Sequence, residues 1–220
     1  MPIRIRNGSP AIRFLTVLGV VIAATTTVII LESRGFPHDP LIGEIGIIEQ
    51  SSVLFWFVSS IILIASRSRP ILDRLPMAYL AAMMGFRELD AHKRIFDWNI
   101  SKLLNLVKPD FPLVERLGAL FLIIVPLTLA ALTLISRWAP AARVAYGSDK
   151  RWIRYVIFWL VLLVLAIAAD KFTWPLGVLG IEIDRFPIHA LEESVEMGLA
   201  LFTVMASIAF FKKDLSSPVQ

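Results

Sequence analysis

Three long apolar runs constrain this chain more than any other feature. Phe14 to Leu31 is 18 residues without a charge, Leu117 to Ile135 is 19, and Trp152 to Ala169 carries only Arg154. An α-helix rises about 1.5 Å per residue, so about 20 such residues cross about 30 Å of hydrocarbon. Runs of this length are too long for a globular core. Composition agrees: 57% of the residues are apolar, 18% are charged and mean hydropathy is +0.72. Such a balance excludes a disordered chain. The absence of cysteine excludes a disulfide scaffold, a zinc ribbon and a thiol enzyme.

Three further runs are shorter. Ser51 to Ala65 has 15 uncharged residues, Ile71 to Phe86 has 16 with Asp73 and Arg74 near its start, and Met197 to Phe211 has 15. Fifteen residues rise only about 22 Å, less than the hydrocarbon thickness. Each helix must therefore draw part of a polar flank to membrane depth: Glu49 in the first, Glu88 and Asp90 in the second, Glu193 and Glu196 in the third. The expected fold is all-α, a single integral membrane domain over residues 1–220. It is a six-transmembrane-helix bundle, with spans at about 12–31, 46–66, 71–90, 115–136, 152–171 and 189–211. Between spans 3 and 4, Phe96, Ile100, Leu103, Leu104 and Val107 share one helical face, which predicts a short amphipathic interfacial helix stopped by Pro109.

Six spans put both termini on one side. That side receives 13 of the 22 Lys and Arg residues, so the positive-inside rule predicts cytoplasmic termini. The first span follows Arg4, Arg6 and Arg13 but ends in IILESRG and not in a small-residue cleavage site, so it is read as retained. The net charge of +4 does not point to nucleic acid, because the bases flank spans and suit topology and anionic lipid. Expected partners are the lipid bilayer and membrane proteins, a second copy of the chain included.

The acids divide more sharply than the bases. Fifteen of 18 fall on the side opposite the termini, as do His38, His92 and His189. Acids contribute little to topology, so insertion does not require this skew. His189, Glu192, Glu193 and Glu196 stand at i, i+3, i+4 and i+7, one stripe of a helix. Three ionised glutamates on a stripe repel one another unless they are paired, protonated or bound to a cation. Glu88 and His92 are one turn apart on span 3; Glu49, Ser52, Trp56 and Ser59 share a face of span 2; Asp170 ends span 5. Bundle proteins assemble inward-facing sites in this way. The competing reading is a solvated acidic rim, with Arg87, Lys93, Arg94, Lys171 and Arg185 as ion-pair partners.

Several motifs are excluded. The chain has no P-loop, no GxGxxG and no HExxH. Glu192-Glu193 does not continue as the EExxxR of the intramembrane glutamate proteases, because Met197 stands at the last position. The spacings Glu88-x3-His92 and His189-x3-Glu193 each place a carboxylate and an imidazole one turn apart. The expected cofactor is a divalent metal, zinc, iron or manganese, held by Glu88, His92, His189, Glu193 and Glu196. Glu49 and Glu193 are the candidate catalytic groups, and metal-activated water attacking a lipid-like or small substrate is the expected chemistry. Two alternatives stand beside it: a proton- or cation-coupled transporter using the same carboxylates, and an accessory or scaffold subunit of a membrane complex. The combination of FRELD (Phe86–Asp90), a late EExxE (Glu192–Glu196) and six spans resembles bacterial multi-pass inner-membrane proteins. That resemblance implies an inner-membrane location and no activity.

Overall fold

Ser9 and Pro10 begin the first helix, α1 (Pro10–Ser33). Ser9 Oγ accepts from the Ile12 amide at 3.3 Å, and Pro10 occupies the first turn, where no amide donor is needed. The helix stops at Gly35, whose φ of +81° suits a residue without Cβ. There the Gly35 amide donates to the Glu32 carbonyl at 2.8 Å and the Phe36 amide to Leu31 at 3.0 Å, the paired bonds that close a helix C-terminus.

The computed structural model describes residues 9–37, 39–42, 46–66, 70–89, 112–133, 135–136, 151–171 and 185–214. After α1 come α2 (Asp39–Ile42), α3 (Ile47–Ala65), α4 (Ile71–Glu88), α5 (Leu113–Thr133, with a π-helical turn at Leu120–Ile124), α6 (Arg151–Lys171) and α7 (Arg185–Asp214). The described residues contain no strand, so the all-α expectation holds. His38, Asp90, His92, the amphipathic stretch Ile95–Val107 and residues 172–184 lie outside the described residues.

Three stretches are long and apolar enough to cross a membrane: Pro10–Ser33, Pro40–Ala65 and Leu113–Thr133. By length and composition, the second begins at Pro40, before the charge-free run. The apolar part of α6, Arg154–Ala169, is shorter. Charges interrupt the other two: Asp73, Arg74, Arg87 and Glu88 in α4, and Glu192, Glu193 and Glu196 in α7. Large apolar side chains such as Val114, Leu113, Ile22 and Leu15 point outward. Their surface suits contact with lipid. Hydroxyls on these helices bond back within their own helix: Thr16 to Ile12, Thr25 to Val21, Thr128 to Ile124 and Thr133 to Leu129. A hydrocarbon environment supplies no other acceptor.

α7 is the hub, packed on α1, α3 and α6, while α5 packs chiefly on α4. The main core gathers Val17 and Val21 of α1, Trp56 of α3, Ala81 of α4, Leu162 and Ala166 of α6, and Val195, Leu199 and Phe202 of α7. Phe14 stacks on Phe158 at 4.5 Å and meets Phe202 edge-on at 6.2 Å, tying α1, α6 and α7 together. Gly198 lets α1 approach α7, since a Cβ there would overlap Val21 Cγ2. The α3–α4 hairpin is locked by polar bonds. Ser60 Oγ donates to the Ala78 carbonyl at 2.8 Å, and Arg74 Nη1 donates to the Ile64 carbonyl at 2.7 Å, satisfying the C-terminal end of α3. This hairpin and α7 bring the acidic ends of three helices together.

Candidate functional site

The stripe on α7 runs inward from its first turns. Side-chain exposure falls from 49% at His189 through 25% at Glu192 and 17% at Glu193 to 16% at Glu196. His189 Nδ1 stands 3.7 Å from Glu192 Oε2 and 3.9 Å from Glu193 Oε1, within ion-pair range and beyond hydrogen-bond length. One and two turns further in, the stripe meets α3 and α4.

Glu88 sits on the last turn of α4 and is buried. Its carboxyl group lies beside that of Glu196, and the charge of Glu49 also reaches it. Glu193 lies within the fields of Glu49, Glu88, Glu192 and Glu196. Three helices, α3, α4 and α7, therefore bring Glu49, Glu88, Glu193 and Glu196 into one electrostatic group. Two carboxylates 4 Å apart repel by on the order of 4 kcal/mol where the effective dielectric is about 20. Arg87 answers part of this charge: its Nη2 donates to Glu196 Oε1 at 2.7 Å, and its Nε lies 3.9 Å from Glu88 Oε1.

Beside this group is a cavity of about 90 Å3. Arg87, Glu88, Glu196 and Trp56 form its polar side; Leu163, Ala166 and Ile167 of α6, with Met84 and Leu199, form its apolar side. Among the described residues, Trp56 Nε1 and Glu88 Oε1 have no hydrogen-bond partner, and neither has Ser52 Oγ, one turn before Trp56 on α3.

The sequence-predicted residues are thus partly brought together. Glu49, Glu88, Glu193 and Glu196 converge. His189 stands at the outer end, beside Glu192 and Glu193, and His92 lies outside the described residues, as does the side chain of Asp170. Among the described residues, no three His, Cys, Asp or Glu side chains are already grouped to hold a metal ion. Arg87 holds one oxygen of the Glu196 carboxylate. Sequence reasoning placed Arg87 only among the rim ion pairs. The signal that marks it is its position next to an intramembrane acid, where an inward partner is needed. The α6 wall carried no such signal, since Leu163, Ala166 and Ile167 look like any lipid-facing residues. No protein-family model, curated protein or solved structure matches the chain.

Proposed function

We propose that the chain is a six-span integral membrane protein that binds a cation at Glu49, Glu88, Glu193 and Glu196, in the half of the bundle away from its termini. The three shorter apolar helices, α4, α6 and α7, complete the bundle; helices whose apolar part is short cross by extending polar turns to membrane depth. The basic residues on the side of the termini support cytoplasmic ends, and the FRELD and EExxE resemblance supports a bacterial inner membrane.

One observation carries the reading: four carboxylates from three helices lie within reach of one another's charge, and Arg87 is the ionic partner of Glu196. Intramembrane acids are costly and are retained for ion, proton or ligand handling. A divalent ion with a preference for oxygen and imidazole ligands, such as zinc, iron or manganese, removes the repulsion, with His189 and His92 as further donors. Once bound, it lowers the pKa of a coordinated water, the chemistry a hydrolase needs.

A second reading replaces the metal with protons. It is favoured by the closeness of the Glu88 and Glu196 carboxyl groups, an arrangement that a shared proton stabilises. In that case the protein is a proton-coupled carrier or relay.

Thermal unfolding of purified protein, with chelator and then with manganese, zinc or ferrous iron, separates the two. A rise in Tm that Glu88→Gln and Glu193→Gln abolish supports the metal. No shift, together with proton uptake by proteoliposomes that Glu193→Gln abolishes, supports the carrier. Failure of both leaves the carboxylates as structural or docking contacts and overturns the cation reading.

A further inference from the structure

Two residues that line the 90 Å3 cavity each carry a buried polar atom with no hydrogen-bond partner among the described residues, and the two atoms are of opposite kind. Trp56 Nε1 is a donor only; Glu88 Oε1 is an acceptor when ionised. Both residues are more than nine-tenths buried, Trp56 at 3% exposure and Glu88 at 8%. An unsatisfied buried donor or acceptor costs about 1–3 kcal/mol, and more when charged. The occupant of the cavity must therefore accept from the indole and donate to the carboxylate.

That requirement discriminates among occupants. A bare metal ion gains from Glu88 but is repelled by the indole N–H. An anion gains from the indole and from Arg87 but meets Glu88 and Glu196. An acyl chain suits Leu163, Ala166, Ile167 and Leu199 yet leaves both polar atoms unsatisfied. Water does both jobs, and a buried water needs two to four polar partners, which Arg87 and Glu196 complete.

We propose that this cavity is a water site, roomy enough for several waters, that bridges the Trp56 indole to the Glu88 carboxyl group. The waters give the carboxylate group a solvent of its own, bordered on one side by α6. Arg87, half exposed and bonded to Glu196, forms the rim of the chamber. The inference goes beyond the cation reading and does not depend on it, since a chain that binds no metal still has to satisfy Trp56 and Glu88.

Hydroxyl-radical labelling by X-ray radiolysis tests it, because radicals formed in a bound water oxidise the side chains that touch it. The protein in lipid nanodiscs is irradiated and each residue's rate is normalised to its intrinsic reactivity. Trp56 is expected to label like an exposed residue despite its burial, while Phe202, buried away from the cavity, stays unlabelled. Ala166→Leu, which fills the cavity from α6, brings Trp56 down to the level of Phe202. Leu199→Phe does the same from α7 and replaces the first variant if that one fails to fold. Trp56 as inert as Phe202 in the unaltered chain, or unchanged labelling in a folded cavity-filled variant, overturns the proposal. Metal content plays no part in this readout, so it fails or succeeds separately from the cation reading.

Discussion

The Arg87 guanidinium on α4 donates to the Glu196 carboxylate on α7 at 2.7 Å and lies 3.9 Å from Glu88, its neighbour in sequence. The arginine is about half exposed and the two acids are largely buried, so the pair stands between the exposed and buried limits of ion-pair energetics. Arg87→Met should destabilise the protein by about 1–2 kcal/mol, because it leaves two neighbouring carboxylates uncompensated. Arg87→Met with Glu196→Gln should recover part of that loss. Unfolding of the single and double variants in detergent measures the coupling; strictly additive effects would show that the contact contributes nothing.

Like-charge repulsion gives the carboxylate group a distinctive sign. In chelator and at alkaline pH, where the side chain is ionised, Glu193→Gln should raise the stability of the protein by about 1 kcal/mol, since it removes a charge surrounded by Glu49, Glu88, Glu192 and Glu196. Ordinary polar-contact loss has the opposite sign. A lower Tm for Glu193→Gln under these conditions would mean that the acid is held by favourable bonds, and that the group is a structural network.

Close packing of α1 on α7 depends on Gly198, where an added Cβ overlaps Val21 Cγ2. Gly198→Ala gains about 1 kcal/mol of helix propensity but costs about 1–3 kcal/mol in overpacking against a branched side chain that cannot swing aside. The net expectation is a loss, relieved when Val21→Ala is added. Tm values of the single and paired variants check this, and an undiminished Tm for Gly198→Ala alone would contradict the packing.

The π-helical turn Leu120–Ile124 is fastened to α4 by one side-chain bond, from Tyr79 Oη to the Leu122 carbonyl. A π-turn disturbs the regular i to i+4 carbonyl pattern, and the tyrosine satisfies a carbonyl that faces it. Tyr79→Phe removes about 1 kcal/mol. It should loosen α5 from α4, because that face is the chief contact of α5. Faster amide exchange confined to α5 is the expected outcome; exchange spread equally over all helices would argue that the bond has no local role.

What the sequence made legible follows from periodicity. Charge-free runs located α1 and α5, and the i, i+3, i+4, i+7 spacing located the stripe on α7, because both depend only on the helix repeat. The shortness of the apolar run in α4 likewise pointed to burial of Glu88. Relations between helices were not readable in the same way. Nothing in the spacing of His189 and Glu193 shows that Glu196 belongs to Arg87, or that the apolar face of α6 closes a chamber over Trp56. The length of the second apolar stretch was also hidden, since Glu44 and Glu49 separate residues 40–42 from the charge-free run that begins at Ser51. Such features arise from the packing of helices distant in sequence.

The most direct test is elemental analysis of detergent-purified protein, after dialysis against trace zinc, iron and manganese, beside the Glu88→Gln/Glu193→Gln variant. Metal in a one-to-one ratio with the chain, lost in the double variant, is the result expected if the carboxylate group is a cation site occupied by a divalent ion. Metal absent from both proteins, or bound equally by both, contradicts it.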